Sequence, residues 1–155
     1  MPNKYKDIRP TLKMALEKGA NYCAYQERCQ HEVRQKLYEL KLDSDDVEEV
    51  LMMLIQDDFV NEERFAKAYC RGKFNQNKWG RTKIIQGLKQ KKVSERCIRT
   101  GLKEIDIDKY QEVLVLILEK KRALIKDKNQ WVIKKKLLNY AIQKGYEYEI
   151  IQNLI

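Results

Sequence analysis

The sequence has few residues that interrupt helices. Of its 155 residues, only Pro2 and Pro10 are proline and six are glycine. After Pro10, no proline ring removes a backbone donor or clashes with a preceding helical turn. Apolar and polar residues do not alternate over any long run, so strands are poorly supported. These absences predict an all-α protein.

Long apolar runs are also missing. The longest, residues 50–55 and 113–118, are much shorter than the roughly 20 residues that a membrane-spanning helix requires. The first ten residues, MPNKYKDIRP, do not have the pattern of a secretory signal. We therefore expect a cytoplasmic protein without a membrane segment.

Metal-binding and catalytic patterns are absent as well. The four cysteines form no C-x-x-C pair, and His31 is the single histidine. Cys29 lies two residues from His31, a spacing that points the two side chains to different sides of a helix. The adjacent acidic pairs diverge in the same way, and no nucleotide-binding fingerprint is present. We expect reduced structural cysteines, no metal, no cofactor, no catalytic residues and no enzymatic activity.

Positive charge is concentrated in the middle of the chain. Residues 61–105 contain 13 Lys/Arg and 4 Asp/Glu, whereas residues 1–60 contain 9 and 12, and residues 106–155 contain 10 and 7. A solvated surface of no particular role would carry charge more evenly. The concentration favours an acidic partner, either nucleic acid or a protein that presents carboxylates.

A repeat of 51 to 53 residues runs through the chain. Its apolar positions in the first copy are Val33, Leu37, Leu42, Val47 and Leu51. A shift of 51 gives Ile84, Leu88, Val93, Ile98 and Leu102. A further shift of 53 gives Leu137, Ala141, Tyr146, Ile151 and Ile155. The spacing of four, then five and five, then four, predicts two helices joined by a turn in each copy.

One more helix precedes each helical hairpin, at Thr11–Tyr25, Asn61–Asn75 and Lys109–Ile125. The chain is therefore predicted to form nine helices in three tandem three-helix repeats, residues 1–60, 61–105 and 106–155. We expect them to build an elongated, curved body, since each repeat contacts its neighbours.

The segment WGRTKIIQGLKQKKV, residues 79–93, does not bind phosphate as a P-loop does, because six residues separate Gly80 from Gly87 and Leu88 follows. Gly80 is expected at a helix start, and Gly87 where two helices pack closely. Trp79, between basic residues, could stack on a base, fill a pocket of a partner, or pack over its own helix junction.

Residues 57–93, DDFVNEERFAKAYCRGKFNQNKWGRTKIIQGLKQKKV, resemble the signature of the RecX family of bacterial recombinase regulators. The matching residues are Glu62, Glu63, Arg64, Phe65, Ala66, Tyr69, Arg71, Gly80, Ile84 and Leu88. The stretches QERCQHEVRQKLYELKLDSDDVEEVL and QKGYEYEII match too. The chain departs from the family pattern at Cys29, Lys41-Leu42, Arg81 and Lys92-Val93.

The resemblance implies a protein that lies in the groove of the RecA–DNA filament and restrains RecA's ATPase and strand exchange, within DNA repair, recombination and the SOS response. The expected partners are the RecA filament and single- or double-stranded DNA, bound directly or through RecA, and the chain is expected to be a monomer. An autonomous basic DNA-binding protein is the alternative.

The basic middle repeat supplies the predicted contact residues. The central ones are Arg71, Lys73, Lys78, Trp79, Arg81 and Lys83, and Lys89, Lys91 and Lys92 extend them. On this hypothesis, neutralising Arg71, Lys78 and Arg81 together weakens inhibition of RecA.

Overall fold

A computed structural model describes residues 8–155, and all of its regular structure within that range is helical. The nine helices are α1 Pro10–Tyr25, α2 Gln30–Glu39, α3 Ser44–Gln56, α4 Glu62–Asn75, α5 Arg81–Gln90, α6 Glu95–Leu102, α7 Ile107–Leu124, α8 Gln130–Gln143 and α9 Tyr148–Gln152. The predicted all-α class and the three consecutive three-helix repeats are confirmed. The first helix of each repeat begins within two residues of its predicted start.

The periodic apolar positions form the core. Val33, Ile84 and Leu137, which are equivalent in the three repeats, are fully buried. Of the fifteen repeat positions, all but Leu102 and Ile155 are buried, and those two are half-buried. The residues that recur in the sequence are therefore the core residues: each helical hairpin buries its equivalent apolar side chains.

The first compact unit comprises residues 8–65 together with 91–93. Helix α1 packs against α2 and α3, which also pack against each other. The core of this unit is aliphatic and includes Leu37, Leu51 and Leu54. The carboxylate of Glu62, at the start of α4, accepts a hydrogen bond of 2.7 Å from the Gln30 N–H at the start of α2.

The second compact unit comprises residues 66–90 and 94–155. Three aromatic side chains run through its core. The Tyr110 ring centroid lies 5.8 Å from that of Phe74 and 5.0 Å from that of Tyr146. These contacts join α4, α7 and the turn between α8 and α9, at distances typical of favourable aromatic pairs.

Two glycines bring the start of α5 against the end of α8. The Gly80 N–H donates to the Lys144 carbonyl at 2.7 Å, and the Thr82 N–H donates to the Gly145 carbonyl at 2.9 Å. A Cβ on Gly80 would lie 2.3 Å from the Gly145 carbonyl carbon, so no side chain fits there. Gly87 also allows close packing, because a Cβ would lie 2.0 Å from the Tyr69 hydroxyl oxygen.

The chain leaves the middle helix of each repeat through a left-handed residue. Lys41, Lys92 and Gly145 occupy equivalent positions and have φ values of 64°, 60° and 100°. Gly145 adopts this conformation without strain, because glycine has no Cβ. The two lysines adopt a backbone conformation that costs a side-chain-bearing residue about 1–2 kcal/mol.

We predict that Gly80→Ala lowers the free energy of unfolding by about 3 kcal/mol, since a methyl group must push two backbones apart. Urea unfolding followed by circular dichroism measures this. Gly72→Ala is the matched control: Gly72 lies within α4, where a Cβ meets nothing within 4 Å. That variant should gain up to about 1 kcal/mol. Equal stability of the two variants would contradict the proposed contact.

We predict that Lys41→Gly raises the free energy of unfolding by up to about 1 kcal/mol, because glycine relieves the left-handed strain at the cost of some chain entropy. Lys41→Ala removes the same charge and keeps the strain, so it should bring no gain. Thermal unfolding of both variants separates the two effects, and a gain in the alanine variant alone would refute the explanation.

Candidate partner-binding site

The loop from α4 to α5 positions several of the predicted contact residues. Its backbone turns at Lys78, which has φ 59°. The Trp79 N–H donates to the Lys73 carbonyl at 3.1 Å. The Tyr146 hydroxyl donates to the Lys78 carbonyl at 2.8 Å, which fixes the loop to the third repeat.

Trp79 lies between two lysines from the helices on either side of it. The ammonium of Lys73 is 4.8 Å from the indole centroid, and that of Lys83 is 4.6 Å away. Both distances fall within the range of a cation–π attraction. The ring is half-buried. We refer to Lys73, Trp79, Lys83 and the exposed Lys78 of the same loop as the tryptophan cluster.

The tryptophan cluster keeps its positive charge. The ammonium of Lys78 donates to the Asn75 carbonyl at 2.8 Å, while Lys73 and Lys83 face the indole ring. Within residues 8–155, none of the three lysines forms an ion pair with a carboxylate. The structure therefore brings four of the nine predicted contact residues into one cationic, aromatic group.

Arg71 and Arg81 are engaged with carboxylates instead. Arg71 Nη1 lies 2.5 Å from Glu104 Oε1, and Arg81 Nη2 lies 2.6 Å from Glu147 Oε2. The Arg81 guanidinium is also 4.4 Å from the Tyr110 ring centroid. Their charge is largely neutralised by acidic residues that are 33 and 66 positions away in the sequence.

Arg81 belongs to a network that holds the second unit together. Its backbone N–H donates to the Tyr110 hydroxyl at 3.0 Å, and that hydroxyl donates to the Glu147 carboxylate. Burial, followed by the bond to Glu147, raises the pKa of Tyr110 well above its ordinary value, so the hydroxyl stays protonated and remains a donor. The network links the starts of α5 and α7 to the residue before α9.

The remaining predicted residues are placed elsewhere. Lys89 is exposed near the end of α5. Lys91 and Lys92 belong to the first compact unit, where Lys91 Nζ lies 3.6 Å from Glu32 Oε2. Lys92 is exposed and has the left-handed backbone described above.

Sequence reasoning missed Lys144, which lies beside the tryptophan cluster's loop. Its carbonyl accepts the Gly80 N–H, and its ammonium is 3.5 Å from the Asn77 carbonyl oxygen. The repeat could have revealed it, because Lys144 is equivalent to Lys91. It adds a fourth cation next to this loop.

All four cysteines are buried free thiols. Burial raises the pKa of Cys23 to about 11 and that of Cys70 to about 12, so both remain protonated near neutral pH.

Residues 8–155 contain no group of three or more His, Cys, Asp or Glu side chains placed to hold a metal ion. In the same range, no helix is long and apolar enough to cross a membrane.

Fold and surface together define an all-helical protein of three tandem three-helix repeats with a cationic, aromatic loop in its second repeat. The domain models of RecX match it in order: the first three-helix domain over residues 15–51, the second over 61–102 and the third over 108–155. The chain belongs to the RecX family, as its sequence signature predicted.

Curated relatives bear the name regulatory protein RecX. Those of Bacillus mycoides (strain KBAB4) and Bacillus cytotoxicus are each 28% identical over 141 residues, which is 91% of this chain and 52% of the relative. The chain thus spans about half the length of these relatives.

The fold is similar to solved RecX structures. The crystal structure of RecX from Lactobacillus salivarius has a TM-score of 0.85 at 24% identity and covers 93% of this chain and 94% of its own. A second crystal structure, of regulatory protein RecX, has the same TM-score at 21% identity and covers 93% and 72%. Both agree with the three-repeat helical architecture.

We predict that Tyr110→Phe lowers the free energy of unfolding by about 1–3 kcal/mol, because it leaves the Arg81 N–H and the Glu147 carboxylate without their shared partner. Chemical denaturation measures the loss. Tyr148→Phe, at an exposed tyrosine, is the control and should stay within about 0.5 kcal/mol of the parent. If both variants match the parent, the network contributes nothing to stability.

Proposed function

We propose that this RecX-family chain binds the RecA–DNA filament and inhibits RecA's ATPase, strand exchange and co-protease activities during DNA repair and recombination. The observation that carries this proposal is the ordered match of all three RecX domains along the chain. The chain acts by binding rather than by catalysis, as a cytoplasmic monomer.

The tryptophan cluster is the proposed centre of contact with the filament. Lys73, Lys78 and Lys83 have no carboxylate partner within the described residues, so an acidic protein surface or a phosphate can pair with them without breaking an existing ion pair. Trp79 adds a large, half-buried apolar surface, and tryptophan is among the residues that contribute most to binding energy at interfaces.

Arg71, Arg81, Lys89, Lys91 and Lys92 extend this contact. Arg71, Arg81 and Lys91 are ion-paired within the chain, so they contribute mainly by adding to the local field. Removing Arg71 or Arg81 would also remove an internal contact. Neutralising these arginines would therefore change both the stability of the fold and the binding of the partner. Neutralising the unpaired lysines tests binding alone.

Three repeats in one chain favour an extended partner. A filament presents the same surface many times, so contacts made by separate repeats of one chain add as intramolecular events. Modest contacts then suffice for tight binding.

We predict that neutralising Lys73, Lys78 and Lys83 together, each to Gln, raises the concentration needed for half-maximal inhibition of RecA's DNA-dependent ATPase by about tenfold or more. Three contacts worth about 0.5–1 kcal/mol each exceed the 1.4 kcal/mol that a tenfold change requires. A coupled ATPase assay with RecA on single-stranded DNA measures the change, and circular dichroism verifies that helicity is retained.

The matched control neutralises Lys13, Lys18 and Lys103, which are exposed and carry the same total charge. It should shift the half-maximal concentration by less than about threefold, because distant surface charges are screened by salt. Undiminished inhibition by the tryptophan-cluster variant would refute the site. Failure of the parent chain itself to inhibit RecA would refute the function.

A further inference from the structure

The end of α7, the following loop and α8 form a second strongly basic stretch of the chain, after that of the middle repeat. Residues 120–143 contain eight Lys/Arg and a single acidic residue, Asp127. Helix α8 contains no acidic residue at all. The average over residues 106–155 conceals this density, because acidic residues are concentrated before and after it. They are Asp106, Asp108, Glu112, Glu119, Glu147 and Glu149.

These eight cations are not neutralised. Within residues 8–155 none of them forms an ion pair, whereas Arg71, Arg81 and Lys91 of the middle repeat do. All are exposed except Lys121, which is half-buried. This stretch therefore has eight unpaired cations, compared with the three lysines of the tryptophan cluster.

Aromatic rings accompany this charge. Trp131, in the first turn of α8, is 68% exposed, which is unusual for a tryptophan, and the Lys135 ammonium lies 5.2 Å from its ring centroid. The Lys121 ammonium lies 4.9 Å from the Tyr140 ring centroid. An open indole face next to cations can stack on a base while the cations hold the phosphates.

Two shallow grooves flank α8. One, of about 460 Å³, is lined by residues of α7, α8 and their loop, including Lys121, Lys126, Lys136 and Tyr140. The other, of about 300 Å³, is lined by Trp131, Lys134, Lys135 and Leu138, among others. Successive helical residues diverge by about 100°, so Lys135 and Lys136 join the two grooves across the exposed side of α8.

We propose that this α7–α8 surface binds single-stranded nucleic acid, with the phosphates along the lysines of α8 and a base stacked on Trp131. A duplex keeps its bases stacked inside and offers no free base face to an exposed indole. An acidic protein surface would pair with the lysines but leaves the open ring unexplained. The binding site is separate from the tryptophan cluster and requires no RecA.

The test is binding of a fluorescein-labelled oligothymidylate of about 30 nucleotides, followed by anisotropy across a salt series without RecA. Neutralising Lys134, Lys135 and Lys136 together, each to Gln, should weaken binding at least about tenfold at low salt. It should also reduce the slope of log affinity against log salt by about 2, since each phosphate contact on a single strand contributes about 0.7.

Trp131→Ala should weaken binding by about fivefold or more at every salt concentration and leave the slope unchanged, because stacking releases no counterions. In Trp79→Phe, Trp131 is the single tryptophan of the chain. Its fluorescence should fall on addition of oligothymidylate, which reports the stacked base directly.

Neutralising the exposed Lys13, Lys18 and Lys103, each to Gln, is the matched control and should lower oligothymidylate affinity less than about threefold with the slope retained. Circular dichroism should show parental helicity in every variant. Unchanged affinity and slope after neutralising the α8 lysines would overturn the proposal. Stronger competition by a duplex, with no effect of Trp131→Ala, would overturn it too. Because RecA is absent, neither result depends on the filament-binding function.

Discussion

The contact between the backbones of Gly80 and Gly145 fixes where α5 begins, and much of the second unit depends on it. The first N–H groups of a helix have no partner within the helix. Here the carbonyls of Lys144 and Gly145 and the hydroxyl of Tyr110 accept the N–H groups of Gly80, Thr82 and Arg81. The negative end of α8 thereby meets the positive end of α5. Trp79 immediately precedes this contact, so the tryptophan cluster depends on it.

The fold was largely predictable because core positions obey a period. A shift of 51 or 53 residues preserves apolar character at each position, and burial follows that pattern even at Ala141 and Tyr146. The left-handed backbone conformation of individual residues was harder to predict from the sequence. Nothing in the composition around Lys41 and Lys92 marks a left-handed residue, since lysine carries no preference for it. Their equivalence to Gly145 in the repeat is the signal that could have revealed it.

The candidate site was only partly predictable. Counting charge along the sequence identifies cations but not their partners, and Glu104 and Glu147 lie far from Arg71 and Arg81 in the chain. The fold neutralises those arginines and leaves Lys73, Lys78 and Lys83 unpaired. Net charge is also misleading in the third repeat. Acidic residues in the first half of α7 offset the cations that follow them when the charge of the whole repeat is summed. Local neutralisation, rather than net charge, decides which surface attracts an anion.

At the starts of α2 and α5, backbone N–H groups donate to residues that are synthesised much later. The N–H of Gln30 at the start of α2 waits for the carboxylate of Glu62, 32 residues further on. The start of α5 waits for Lys144 and Gly145, more than 60 residues further on. These N–H groups therefore lack their later acceptors when each middle helix leaves the ribosome. The start of each of these helices gains its long-range hydrogen bonds only after a later segment has been synthesised.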